Sequence, residues 1–144
     1  MIKSRVLFVC TENACRSQMA EGFLRQHAAD RFEAFSGGGE PGKLNPTAVE
    51  VMREVGVDIS GHRSKDVAEF LGQNFHFIVR VCDKVRETCP VLPGAIWYLD
   101  WSLEDPAAAK GSPTERMTVF RRVRNEIERR VLDFIAKESD EAVQ

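Results

Sequence analysis

The 144-residue sequence has no run approaching the 18 or more apolar residues of a membrane span, and its opening residues form one apolar burst with no cleavage-like stretch behind it. Neither a membrane protein nor a secreted one is expected, and the expected location is the cytoplasm. An excess of one charge is missing too. Twenty Lys plus Arg stand against 22 Asp plus Glu, with few aromatics and no basic tail, so nothing general attracts nucleic acid, although a local anion site stays open. The three histidines are scattered and no cysteines have the close spacing of a zinc site, which argues against a metal centre. Four cysteines are enough to staple a small secreted fold, but a chain long enough to bury roughly 70% of its unfolded surface needs no staples. Redox or catalytic chemistry is the better use for them. Repeats, linkers and low-complexity tracts are also absent, and one domain over residues 1–144 is expected, with residues 139–144 frayed.

What is present alternates. Residues 6–9 are β-branched and aromatic without a polar interruption, the pattern of a strand covered on both faces in a parallel sheet, ending at Cys10. Met19, Ala20, Phe23, Leu24 and Ala28 then recur at helical spacing. A second strand fits 32–36, closed by Gly37, Gly38 and Gly39. A second helix carries Ala48, Val51, Met52 and Val55 and stops at Gly56. Ser64 reads as the cap of a third helix through Leu71, with Val67, Ala68 and Leu71 as its apolar face. Strands at 75–81 and 96–99 come next, and from Met117 through Phe134 the pattern is one long amphipathic helix. Strands alternating with helices make an α/β layer fold with right-handed crossovers.

The turn after the first strand holds the most specific signal: Cys10-Thr11-Glu12-Asn13-Ala14-Cys15-Arg16-Ser17. A cysteine stands at the strand end and an arginine at the helix entry, where inward-pointing amides and the positive end of the helix hold a tetrahedral oxyanion over the sulfur. The same field favours a thiolate. Arg16 supplies a bidentate fork that lysine lacks. Ser17 can donate to the Cys10 sulfur, and Asn13 suits a position of positive φ. A bare C-x5-R match is ordinarily a buried thiol and a surface cation; its position in a strand-to-helix turn, where α/β folds bind ligands, favours the functional reading. Cys15 is not required by this geometry and reads mainly as a structural thiol.

Attack on an oxyanion centre must expel an oxygen, which leaves more readily when an acid protonates it. Asp105, before Pro106 in the loop after the 96–99 strand, is the candidate, with Asp100 as its rival. Cys82 ends the third strand and so faces the same end of the sheet as Cys10. Cys89 lies seven residues farther on, after the charged and potentially helical stretch Asp83-Lys84-Val85-Arg86-Glu87-Thr88 and before Pro90. A local refolding of that stretch would bring Cys89 to Cys82 and carry oxidation outward by thiol–disulfide exchange.

Together these residues resemble a known family, the thioredoxin-coupled arsenate reductases built on the low-molecular-weight protein tyrosine phosphatase fold. The likeness rests on residues 6–21, on Cys82 and Cys89 with Pro90, and on Glu104-Asp105-Pro106, and it spans nearly the whole chain. It implies a three-layer domain with a four-stranded parallel sheet flanked by helices. It also implies that arsenate is held by Thr11, Glu12, Asn13, Ala14, Cys15, Arg16 and Ser17. In the implied reaction Cys10 attacks arsenic while Asp105 protonates the leaving oxygen, Cys82 takes the Cys10 sulfur, and Cys89 resolves the pair into a Cys82–Cys89 disulfide that thioredoxin reduces. The implied partners are arsenate and reduced thioredoxin, with no nucleic acid, membrane or bound cofactor, and the chain acts as a monomer. Some members hold potassium near Asn13, Glu21 and Ser36, helped by the loop around Ser64. Here Lys65 stands where those members would have a carboxylate, and its ammonium is expected to replace the ion; His62 is expected to be a loop residue, not a ligand.

Three other readings compete. A phosphatase on the same scaffold needs only Cys10, Arg16 and Asp105, though Glu12 and Asn13 would give an aromatic phosphoester a polar wall. A redox sensor would use only Cys82 and Cys89. A phosphocysteine carrier explains neither Asp105 nor that pair.

Overall fold

The apolar segments become four strands, β1 (Ser4–Cys10), β2 (Phe32–Gly38), β3 (Phe75–Arg80) and β4 (Ala95–Asp100). They belong to a computed structural model that describes residues 2–83, 85, 87–90 and 92–143, with side chains as far as residue 138. Every pairing is parallel and the strand order is β2-β1-β3-β4. The uninterrupted run in β1 is explained by its central place: Val6, Leu7, Phe8 and Val9 are all fully buried, since both faces are covered.

The helices α1 (Arg16–Ala28), α2 (Pro46–Glu54) and α3 (Pro113–Val143) pack on the face that carries Val6 and Phe8. That core joins Met19, Phe23 and Leu24 of α1 to Val51 and Met52 of α2 and to Phe120, Val123, Ile127 and Val131 of α3. The opposite face, carrying Leu7 and Val9, is covered by a short 3-10 helix, Val67–Phe70, and by Leu92. Asn45 starts α2 by accepting from the Thr47 and Ala48 amides, with Pro46 at the first helical position. α2 ends at Glu54 and leaves Val55 as its half-exposed cap, just before Gly56 at φ 80°.

Three local expectations change. β2 runs to Gly38, two residues beyond the expected end, because its pairing with β1 continues until Gly38 meets Cys10. The helix expected from Ser64 is only the 3-10 turn at Val67–Phe70, and its cap is Asp66, whose carboxylate accepts from the Ala68 amide. Leu71 is exposed, and Ser64 is used elsewhere, donating to the Asn13 carbonyl. The backbone expected to fray stays helical to Val143, while Gln144 lies outside the described residues.

Parallel topology fixes where the functional side chains emerge. The carboxyl ends of β1, β3 and β4 lie at one edge of the sheet, so Cys10, Cys82 and the loop through Asp105 leave it together.

Candidate active site

Cys10 is the last residue of β1 and Arg16 the first of α1, and both are buried. Between them the chain makes a tight loop around the Cys10 sulfur. The Ser17 hydroxyl lies 2.8 Å from Sγ, and the Asn13 amide donates to Sγ at 3.2 Å. Asn13 takes φ 53°, the left-handed conformation that asparagine tolerates. A cavity of about 330 Å³ opens over the loop, lined by Cys10, Thr11, Glu12, Ala14, Cys15 and Arg16, with Lys43, Asn45, Glu87, Asp105 and Ala107 at its sides.

Asn13 and Ser17 stand behind that wall, not in it. Both are fully buried, and the Asn13 side chain donates to Ser17 Oγ at 2.8 Å while accepting from Gln18 Nε2 at 2.9 Å and the Lys65 amide at 2.8 Å. The Asn13 side chain thus fixes the loop from behind, while its backbone amide faces the Cys10 sulfur. Of the polar wall expected from Glu12 and Asn13, only Glu12 remains. The network includes Gln18 and Ser64, whose polar atoms bond the Asn13 carbonyl at 3.2 and 2.8 Å. Gln18 sits among apolar α1 positions yet is fully buried, a placement that only its partners explain.

Gly38 supports the loop from below. A Cβ there would stand 2.7 Å from the Thr11 carbonyl oxygen and 2.8 Å from the Asn13 nitrogen, so only glycine fits against this backbone.

Asp105 lines the cavity, 3.9 Å from Arg16 Nη2, and caps its own 3-10 turn by accepting from the Ala107 amide. Asp100, the rival acid, is held at the end of β4 by Arg80 at 2.6 Å and lies off this cavity. Cys15 does line it, but burial, with the nearby Asp105 and Cys10 charges adding, pushes its thiol far above the ordinary range. It stays protonated.

Cys82 and Cys89 form a disulfide with Cα atoms 6.4 Å apart, while Cys10 and Cys15 are free. The helix envisaged between them is absent from the described residues for a geometric reason. Seven residues of regular helix would span about 10.5 Å, beyond the roughly 7 Å a disulfide can bridge. One helix-like bond survives, from the Glu87 amide to the Asp83 carbonyl at 3.0 Å; Lys84 and Arg86 lie outside the described residues. The Glu87 carboxylate turns toward the anion loop and takes Arg16 Nη1 and Nη2 at 2.6 Å each. Sequence alone offered no sign of this contact.

Below the loop, Glu21 is buried and accepts from Ser36 Oγ at 2.5 Å and Arg25 Nη1 at 2.8 Å. Lys65 Nζ stands 3.8 Å from the same carboxylate and donates to the Arg63 carbonyl at 3.0 Å. His62 Nδ1 lies 2.9 Å from Gln18 Oε1, and burial lowers its pKa. Among the described residues no three His, Cys, Asp or Glu side chains are grouped to hold a metal ion. No helix among them is long and apolar enough to cross a membrane.

Residues 5–144 match the model of the low molecular weight phosphotyrosine protein phosphatase family. An arsenate reductase of Shouchella clausii is 43% identical over 134 residues, covering 93% of this chain and 96% of its own. A solved structure of an arsenate reductase in the phosphate binding state, 36% identical, superposes with a TM-score of 0.77 over 93% of this chain and 98% of that one. A thioredoxin-dependent arsenate reductase of Corynebacterium glutamicum, 27% identical, gives 0.69 over 99% of this chain and 64% of that one. The chain therefore belongs to the low molecular weight phosphotyrosine protein phosphatase family, and its similarity runs to the arsenate reductases within it.

Proposed function

We propose that this protein reduces arsenate to arsenite with electrons from thioredoxin, working as a monomer in the cytoplasm without nucleic acid or a bound cofactor. The observation that carries the reading is the Cys82–Cys89 disulfide beside a free cysteine in an anion loop. A phosphatase needs the loop, the arginine and an acid, and has no use for two further thiols.

Arsenate sits over Cys10, its charge met by Arg16 and the loop that runs through Thr11, Glu12, Ala14 and Cys15. The Cys10 thiolate attacks arsenic and an As–O bond breaks; Asp105 gives a proton to the departing oxygen, which leaves as water. The Cys82 thiolate then attacks the Cys10 sulfur. The S–As bond breaks with its electron pair going to arsenic, and arsenite departs as As(III) while a Cys10–Cys82 disulfide forms. Cys89 attacks Cys82, which frees the Cys10 thiolate and leaves the Cys82–Cys89 disulfide. The thioredoxin dithiol returns two electrons. The β1–β3 pairing supports the second step, because Val9 opposite Arg80 brings Cys10 and Cys82 off neighbouring strand ends.

Lys65 takes the part that a potassium ion has in some relatives, its ammonium facing the buried Glu21 carboxylate under the loop. Activity should therefore be flat across potassium concentrations at constant ionic strength; strong stimulation would sink this point.

Cys89→Ser tests the division of labour. It should abolish multiple-turnover arsenate reduction and leave hydrolysis of an aryl phosphate largely intact. Equal loss of both activities would contradict the scheme.

A further inference from the structure

Among the described residues, Arg16 is the one cation in the wall of the anion loop that is itself buried, and its fork is already occupied. Glu87 Oε2 and Oε1 accept from Nη1 and Nη2 at 2.6 Å each, while the Leu103 carbonyl takes Nη1 at 3.0 Å. Nε is buried and has no partner among the described residues. A bidentate carboxylate on a guanidinium has the charge and the paired oxygens of one edge of a tetrahedral oxyanion. Glu87 is tied further by the Asp83 amide at 3.0 Å and by Thr11 Oγ1 at 3.4 Å, on a side chain that is 17% exposed.

We infer that Glu87 is a redox-controlled occupant of the oxyanion site: while the Cys82–Cys89 disulfide is closed its carboxylate fills the Arg16 fork, and when the disulfide opens the fork is released to substrate. The inference rests on the proposed role of the Cys10 to Ser17 loop as the anion site. Its physical basis is tethering. Cys82 is anchored in the core two residues beyond the end of β3, and the disulfide pins Cys89 to it with Glu87 only two residues away. The carboxylate is thereby held at high effective concentration beside Arg16. Opening the bond removes that constraint and allows the 82–89 segment to lengthen. Cys10 remains a free thiol in the closed form, so nothing else in the loop is consumed by oxidation. The consequence is order in the catalytic cycle. An oxidised enzyme, unable to complete another reduction, does not capture arsenate before thioredoxin has restored Cys82 and Cys89.

Phosphate binding, measured by calorimetry on the full chain in both redox states, tests this. Wild-type protein reduced with a phosphine should bind inorganic phosphate on the order of tenfold tighter than the oxidised form, within the 5–150-fold range usual for coupled sites. Oxidised Glu87→Gln and Glu87→Ala should recover most of that affinity, while the same substitutions in reduced protein should change it less than about threefold. Cys82→Ser with Cys89→Ser, which cannot close the bond, should match reduced wild type after oxidant treatment. Equal affinity of oxidised wild type and both Glu87 variants overturns the inference. Failure of reduced wild type to bind phosphate overturns the anion-site reading itself, a distinct result.

Discussion

Replacing Gly38 by alanine tests whether the anion loop depends on the backbone of β2. The new Cβ would lie 2.7, 2.8 and 2.9 Å from Thr11 O, Asn13 N and Glu12 C, against an ordinary limit near 3.4 Å. All three are backbone atoms, so no side chain can swing aside. Overpacking of this kind costs roughly 1–3 kcal/mol if the loop holds its place. If the loop yields, it must move about 0.7 Å, and displacements near 1 Å at a reacting centre cost up to about a hundredfold in rate. Gly38→Ala should therefore lower kcat/KM for arsenate at least about tenfold in a thioredoxin-coupled assay, and lower the urea midpoint as well. Gly39→Ala is the control, since the nearest atoms to a Cβ there belong to Pro90 at 3.6 Å, an ordinary contact. Gly38→Ala within twofold of wild type in both measurements would refute the packing argument.

Asp105→Asn should slow arsenate turnover by about a hundredfold or more, the usual worth of a positioned acid, while Asp100→Asn changes it by only a few-fold. Steady-state rates on the two variants separate the rivals. Cys15→Ser should keep most of the turnover, because burial holds this thiol protonated; loss as severe as that of Cys10→Ser would give it a chemical role. His62 makes a pH prediction. Its pKa in the folded chain lies below the ordinary 6.5, with burial as the main cause and Arg25 and Lys65 opposing its charge against Glu21 and Asp58. The unfolded chain therefore takes up this proton first, so His62 costs no stability above that range and lowers it as pH falls through 6.5 toward the folded value. Urea titrations from pH 7.5 to 5 should show that loss, and His62→Gln should reduce it.

The sheet was legible because buried parallel strands carry an unmistakable pattern, as in the Val6 to Val9 run, and because the strand-to-helix turn at Cys10 joins two periodicities. Helix α3 was legible from its own period, with Met117, Phe120, Val123, Ile127, Val131 and Phe134 recurring every three or four residues. The Ser64 segment was not, since its apolar spacing over a few residues cannot distinguish a helix from a loop whose polar groups are claimed by Asn13. That Cys10, Arg16 and Asp105 meet at one cavity could be anticipated from spacing and topology. Gly38, Gln18 and Glu87 could not, because their positions depend on close approach and long-range pairing with partners 25 or more residues away or in the neighbouring turn. Glu87 in particular looked like one charge in a charged stretch.

The most direct test of the account is NADPH oxidation by the purified protein with arsenate, thioredoxin and thioredoxin reductase, set beside the same protein with glutathione and glutaredoxin. Arsenate-dependent turnover is expected with the thioredoxin system, lost in Cys10→Ser, Cys82→Ser and Cys89→Ser alike. Turnover with glutaredoxin alone, or undiminished turnover without Cys89, would contradict it.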